Sequence, residues 1–468
     1  MKGLEVSEIL ISNLEYSGRI DAEYYKPSFI KFENLIKNKG GQLLSDKAQF
    51  LIGPFGSAFT VDNYVEERKY RYIRGKDVKP LKLMNDDNVY MSKEHFEGLS
   101  RYALKENDIM VSVVGTIGNA AIIQNEDLPA VFSCKSTVIR TSEINPKYLL
   151  TYLNCKYGKD LLLRKERGAI QKGLNLDDLK TLDVLLASIT FQSIIEKLFE
   201  TSNLNLNLCQ QKHIEAEKLL LQTLGLQHFQ PSMEAVNIKS FKESFVITGR
   251  LDAEFYQPKY EEIEKALKKN NKYDLLSNLL VKIDTGEYSP EYFSNGEKNG
   301  LTFYIRSTNI KNGQIEKDAN FYVEKNNFNK IARTGNIVTA RVGTIGIFGE
   351  IREQIDGSIY SDNVLCFQLP DSFNPSVYTL LFNSKIYFEL IDRLARGSVQ
   401  QRLNQETLKD LLIPIIKHEP QQQIAVLIQE SFALKAKSEK LLEVAKRAVE
   451  IAIEENEEAA ITFIKKNS

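Results

Sequence analysis

The sequence predicts an α+β fold: two tandem α/β domains separated by two long antiparallel helices, which form a coiled-coil-like rod with pseudo-two-fold symmetry. The first observation behind this is a duplication. SGRIDAEYYKPSF from Ser17 returns as TGRLDAEFYQPKY from Thr248, and RYIRGKDVK from Arg71 as FYIRSTNIK from Phe303. VGTIG from Val114 returns from Val342, and RGAIQKGLN from Arg167 as RGSVQQRLN from Arg396. The offsets stay between 228 and 232 residues, so one domain-sized unit occurs twice, each copy far longer than a solenoid repeat. The second observation is a mixed pattern inside each copy. Turn-rich segments (IGPFGSAF from Ile52, NGEKNG from Asn295) alternate with short β-type runs (DIMVSVVG from Asp108, NIVTARVG from Asn336). The third is a pair of long stretches without internal proline, each carrying a heptad seam.

In chain order, residues 1–190 make the first domain, 191–225 the central helix, 226–418 the second domain and 419–468 the C-terminal helix. Each domain closes in helical sequence from Asn145 or Asn374, with Pro146 and Pro375 in the first turn, where a missing N–H costs nothing. The central seam runs through Ile195, Phe199, Ser202, Leu206, Cys209, His213, Ala216, Leu220 and Thr223. The second runs through Leu427, Ser431, Leu434, Ser438, Leu441, Ala445, Ala448 and Ala452. Small residues coincide on the two stripes and let helix backbones approach closely. LNLNL from Leu204 alternates as a strand would, but its long helical flanks override it. A helix of ~30 residues is roughly 45 Å long, against the ~34–36 Å turn of B-DNA. Two domains on such a rod would face one duplex about a turn apart.

Composition sets the limits. The chain has 468 residues, 43% hydrophobic and 26% charged, as an ordinary soluble protein does. No apolar run reaches the ~18 residues of a membrane span, and Glu5 and Glu8 stand where a signal peptide would be basic, then apolar. Cys134, Cys155, Cys209 and Cys366 have no metal-ligand spacing, which fits a reducing, cytoplasmic setting. The net charge of −1 argues weakly against a nucleic-acid partner, but its distribution argues for one. Arg68, Lys69, Arg71, Arg74, Lys76, Lys79 and Lys82 face only Asp77 in their stretch, and nine basic residues against three acidic lie between Lys135 and Lys172. Such patches are the footprint of phosphate binding, although a solvated face would look the same.

The paired GRIDAEYY and GRLDAEFY segments, IGPFGSAF, IRGKDVK with IRSTNIKNG, the VGTIG turns and the RGxxQxxLN closings, in this order, resemble a specificity subunit of a Type I restriction-modification system. The resemblance spans nearly the whole chain. It implies two target recognition domains, each followed by a conserved helical region, that direct two methyltransferase subunits and restriction subunits to a bipartite, asymmetric site on double-stranded DNA. It also implies a protein that catalyses nothing and holds no cofactor itself, with S-adenosylmethionine, ATP and Mg on the partner subunits. The sequence independently lacks an N/D-P-P-Y/F/W amine-methylation segment, a G-x-x-x-x-G-K-S/T phosphate loop and an H-E-x-x-H metal site. His95, His213, His228 and His418 share no neighbourhood. GPFGSAF is expected to lack a counterpart in the second copy, where DTGEYSPEYF stands. The alternative is a two-headed adaptor between two protein partners, with no readout of DNA.

Bases are read by Arg or Lys on guanine and Asn or Gln on adenine, while Lys, Arg, Ser and Thr hold phosphate. The DNA-contact candidates are therefore Arg71, Arg74, Lys76, Lys135 and Ser136 in the first copy. In the second they are Arg306, Thr308, Asn309, Lys311, Asp362 and Asn363. Arg167 and Gln171, with Arg396 and Gln400, are candidates in the RGxxQ closings, where capping the next helix is the competing role. Cys134-Lys135 aligns with Asp362-Asn363, one scaffold position with two hydrogen-bonding chemistries. Asp21, Tyr24 and Tyr25, with Asp252, Phe255 and Tyr256, stay nearly alike between copies. They suit a partner that docks twice, or maintenance of the fold.

Overall fold

The structure is a computed structural model that describes residues 6–12, 14, 18–168, 172–234, 236–343, 345–395 and 402–468. The chain divides into two compact units: Met1–Leu206 with Lys435–Ser468, and Asn207–Leu434.

In unit 1, α1 (Pro27–Asn38) leads into β1 (Gln42–Leu43), β2 (Gln49–Ile52), β3 (Tyr70–Ile73) and β4 (Val89–Met91). After α2 (Lys93–Gly98) come β5 (Ile109–Ser112), β6 (Ala120–Ile122), β7 (Ala130–Phe132) and β8 (Ser136–Arg140). Helices α3 (Pro146–Asn154), α4 (Lys156–Arg164) and α5 (Leu176–Lys180) precede β9 (Asp183–Val184) and the long α6 (Ile189–Thr223). The strands form an antiparallel sheet β2-β8-β5-β6, a three-stranded sheet β4-β3-β7 and the pair β1-β9. In the second sheet β3 runs parallel to β7, with Ile73 opposite Phe132.

Unit 2 repeats this plan. It contains α7 (Pro258–Asn270), β10 (Tyr273–Leu275), α8 (Leu276–Leu279), β11 (Lys282–Thr285), β12 (Leu301–Ile305), β13 (Ile310–Lys311), β14 (Gln314–Ile315) and β15 (Tyr322–Glu324). Then follow β16 (Ile337–Ala340), β17 (Phe348–Glu350), β18 (Ile359–Tyr360), β19 (Val364–Gln368), α9 (Pro375–Asn383), α10 (Lys385–Leu394), α11 (Gln405–Lys409) and β20 (Leu412–Pro414). Its sheets are β11-β19-β16-β17, β15-β12-β18 and β10-β20, the same orders as in unit 1, with one added hairpin β13-β14. Two last helices, α12 (His418–Glu454) and α13 (Glu457–Asn467), complete the chain.

The local causes are duplicated as well. The Asn145 side chain accepts the amides of Lys147 and Tyr148, and Asn374 accepts those of Ser376 and Val377, each one residue before the proline. Such caps contribute about 1 kcal/mol each. Gly115, Gly118, Gly343 and Gly346 all have φ between 71° and 88°, so the VGTIG glycines serve the tight turns of β5-β6 and β16-β17. Large buried tyrosines satisfy their hydroxyls on main chain: Tyr152 donates to the Asp183 carbonyl at 2.8 Å and Tyr387 to that of Leu412 at 2.7 Å.

Within unit 1 the core joins Ile109, Val111 and Ile139 of the sheet to Leu149 of α3, Ile195 and Phe199 of α6, and Val444 and Ala448 of α12. In unit 2, Ala216 and Leu220 of α6 and Ile424 and Ile428 of α12 cover Leu365 and Phe367. The two long helices are antiparallel. In unit 1 the Ser202 hydroxyl donates to the Ser438 carbonyl at 3.0 Å; in unit 2 the Ser431 hydroxyl donates to the Cys209 carbonyl at 2.9 Å. Ser202 aligns with Ser431 and Ser438 with Cys209 at an offset of 229, so each bond is the image of the other under the duplication. Leu204–Leu208, the alternating stretch, lies inside α6. Burial pushes the Cys155 and Cys366 thiols up to about 12, leaving them inert at neutral pH.

Candidate nucleic-acid interface

The loops that leave the parallel strand pair gather the candidates in each unit. In unit 1, β3 ends at Ile73 and β7 at Phe132, and the Ser133 amide donates to the Ile73 carbonyl at 3.0 Å. The Arg74–Asp77 loop and the Ser133–Lys135 loop therefore emerge side by side. A Cβ on Gly75 would lie 2.8 Å from that of Lys135, so only glycine permits this approach. Asp77 accepts the Arg74 amide at 2.8 Å and its guanidinium at 2.9 and 3.0 Å, fixing the loop. Lys76 and Lys135 are exposed, and Lys76 pairs at the surface with Asp87 at 2.8 Å. The Lys76 ammonium and the Arg74 guanidinium hold the Asp87 carboxyl below its ordinary value.

Unit 2 builds the same place around the equivalent arginine, Arg306, with other side chains beside it. The Ser361 amide donates to the Ile305 carbonyl at 2.9 Å, which sets Arg306 beside Asp362 and Asn363. Arg306 pairs with Asp318 at 3.1 Å, and its guanidinium lies over the Phe321 ring. Asn363 and Thr308 are exposed and Asp362 half-buried; Lys311, also exposed, lies on β13. Arg341, which the sequence did not single out, donates to the Asp362 carbonyl at 3.0 Å, and its Nε is buried without a partner in the chain. The signal was available: directly before the matching V-G-T-I-G segments, Arg341 stands where the first copy has Val113.

Three candidates are corrected. Arg71 is 5% exposed and forms an ion pair with Asp127 at 2.5 Å, while it also donates to the Met84 carbonyl. It is a core residue, and burial pushes the Asp127 carboxyl up even beside this guanidinium. Ser136 is fully buried at the start of β8. Asn309 is buried too: it accepts the Arg306 amide at 2.9 Å and donates to the Glu316 carbonyl at 3.0 Å, shaping the loop from below. A fourth expectation also changes. GPFGSAF does have a counterpart, because Gly53 and Gly286 follow the equivalent strands β2 and β11. A Cβ on Gly53 would strike the Ser133 carbonyl, and one on Gly286 those of Tyr360 and Ser361.

The closings and the N-terminal segments form a separate region. Arg167 is exposed but held by Asp178 at 2.9 Å, and its main chain bridges to Gly173. Gln171, Arg396 and Gln400 lie outside the described residues. The Tyr24 ring is sandwiched between the guanidinium groups of Arg19 and Arg164, at 4.6 and 4.2 Å. Phe255 sits likewise between Arg250 and Arg393, at 4.3 and 4.4 Å. Arg164 and Arg393 each continue to a glutamate, Glu33 and Glu264, both at 2.7 Å. Buried Tyr25 and Tyr256 donate to the carbonyls of Arg19 and Arg250 at 3.1 and 3.0 Å. These contacts explain why the segments remain alike. Asp21 and Asp252 stay exposed, paired with Arg19 and Arg250. In unit 1 the segment borders a surface groove of about 820 Å³ lined also by Arg167 and Lys172.

Among the described residues no group of His, Cys, Asp and Glu is placed to hold a metal ion, and no helix is long and apolar enough to cross a membrane. Residues 261–444 match the family model described as Type I restriction modification DNA specificity domain. Over that segment the resemblance read from the motifs holds. Among solved structures, the chain is similar to the S subunit of a Type I restriction-modification system from M. genitalium, at 12% identity and a TM-score of 0.40, covering 91% of this chain and 95% of that one. It is also similar to the HsdS subunit from Thermoanaerobacter tengcongensis, at 13% identity and a TM-score of 0.29, covering 89% and 96%.

Proposed function

We propose that the chain is the non-catalytic specificity subunit of a Type I restriction-modification complex, and that each unit reads one block of a bipartite, asymmetric DNA site. One observation carries this reading. Beside an arginine common to both copies, Arg74 and Arg306, the same scaffold position at the ends of a parallel strand pair presents Lys76 and Lys135 in one unit and Thr308, Asp362 and Asn363 in the other. A duplicated scaffold with unlike side chains at one place is what two unlike half-sites require. Lys135 suits guanine, whose major-groove edge offers two acceptors, while the Arg74 guanidinium is taken up by Asp77 and Asp87. Asn363 suits adenine, and Asp362 the amino group of cytosine. Lys76, Thr308 and Lys311 suit phosphate, a contribution that weakens as salt rises. The family match falls in residues 261–444, and the shared strand orders support extending the reading to the first copy.

In this proposal the chain performs no covalent step. It would bring two methyltransferase subunits, which hold S-adenosylmethionine, and restriction subunits, which use ATP and Mg, to the site. Asp21 and Tyr24, with Asp252 and Phe255, would form the docking region; Tyr25 and Tyr256, expected from the sequence to belong to it, are buried and hold it from beneath. The test is selection from random duplex DNA by the full-length chain with its methyltransferase partner, followed by sequencing. Two short enriched blocks at a fixed spacing are expected. No enrichment would overturn the reading and favour a protein–protein adaptor.

A further inference from the structure

The loops after β2 and β11 share a pattern that the chemistry above leaves unused. Counting from the matched glycines Gly53 and Gly286, the second residue is aromatic in both copies, Phe55 and Tyr288, and so is the sixth, Phe59 and Tyr292. The sixth residue anchors the loop. Phe59 packs on Tyr72 at 4.7 Å and Tyr292 on Tyr304 at 5.5 Å, and Tyr72 and Tyr304 are equivalent residues of β3 and β12. The second residue does the reverse: Phe55 is 86% and Tyr288 69% exposed. One exposed aromatic on a surface is ordinary. Two at the same loop position, on loops pinned by glycine and by a ring that is buried in one copy (Phe59) and half-exposed but packed on Tyr304 and Phe321 in the other (Tyr292), are not accounted for by packing, because Phe55 and Tyr288 are mostly exposed.

Their neighbourhood says what they meet. A Cβ on Gly56 would lie 3.8 Å from the Cys134 sulfur, next to Lys135, and Gly286 abuts Ser361, next to Asp362. Each free ring thus stands on the loop bordering its unit's candidate base-reading residues. Aromatic rings stack on any base, since every base offers a π-face, and apolar side chains that enter a base step partly unstack it. The Phe/Tyr exchange between copies leaves that capacity intact while the polar residues beside it change from Lys135 to Asn363.

We propose that Phe55 and Tyr288 are stacking residues of the two readers, each ring lying against a base unstacked from its neighbour in its own half-site. This rests on the DNA-recognition reading and deepens it: the polar cluster differs between half-sites, and the aromatic contact is common to both.

The experiment uses the full-length chain with its methyltransferase partner and the duplex it selects, with 2-aminopurine placed at successive positions of each block. The emission is expected to change on binding at one position per block. F55A should abolish the change in one block only and Y288A in the other, each weakening binding on the order of tenfold. F55Y and Y288F should restore both signals, and thermal melting should stay as in the parent, since both rings are exposed. Unchanged emission and affinity in F55A and Y288A would overturn the inference alone. So would a loss of affinity with emission unchanged, which would place the rings on sugar or phosphate. Failure of the parent complex to select any sequence would instead overturn the DNA reading itself.

Discussion

At the scale of single residues, burial separates the side chains that hold the candidate loops from those that are free to meet a partner. Arg71 and Lys135 are both basic and both within basic runs, yet Arg71 is buried against Asp127 while Lys135 is exposed. Breaking a buried pair leaves an uncompensated charge and costs about 3–5 kcal/mol. Arg71→Met should therefore lower the melting temperature and the soluble yield without altering which bases are selected. Lys135→Ala should leave melting unchanged and relax one block. Equal stability with altered selection in Arg71→Met would show that the guanidinium reaches DNA after all. The sequence could not distinguish these residues, because Arg71 lies in a short strand, Tyr70–Ile73, flanked by turns. Its acidic partner lies 56 residues away in a 3-10 turn. Asn309 misleads in the same way, a polar residue in a loop whose side chain is consumed by the loop's own backbone.

Secondary-structure elements were more legible where periodicity was long. The heptad seams announced α6 and α12 because every buried position of α6, from Ile195 to Leu220, recurs on one face. Asn-Pro announced α3 and α9 through capping chemistry that needs only neighbouring residues. The short strands of the three-stranded sheets gave weaker signals. The equivalence of GPFGSAF and GEYSPEY was hidden because only glycine and aromatic class persist, at an offset of 233 that departs from its neighbours. The serine pairs on the seam invite a direct measurement. Ser202 and Ser438 are buried with hydroxyl oxygens 2.8 Å apart. Replacing both by alanine removes donor and acceptor together and should be nearly neutral in chemical denaturation. Ser202→Leu inserts bulk where the backbones close in and should cost about 1–3 kcal/mol. A tolerated leucine would mean that the helices are not held close at this level.

At the scale of the whole molecule, the duplication extends beyond sequence to strand order, caps, the arginine-sandwiched aromatics and the seam hydrogen bonds. What is not duplicated includes the side chains of the candidate loops, the helix α2 of unit 1 and the added hairpin β13-β14 of unit 2. On the proposed reading, exchange of residues 1–190 for the first domain of a Type I specificity subunit should accordingly change one selected block and leave the other as it was. Changes in both blocks after such an exchange would show that the units do not read independently.

The core of unit 1 contains Leu441, Val444, Ala448 and Ile464, although most of that unit lies before residue 207. Unit 2, in contrast, is drawn from the single uninterrupted span Asn207–Leu434. During synthesis on the ribosome, the domain that emerges first is therefore the one finished last. It must wait, its core short of Leu441, Val444, Ala448 and Ile464, until residues 435–468 have been made.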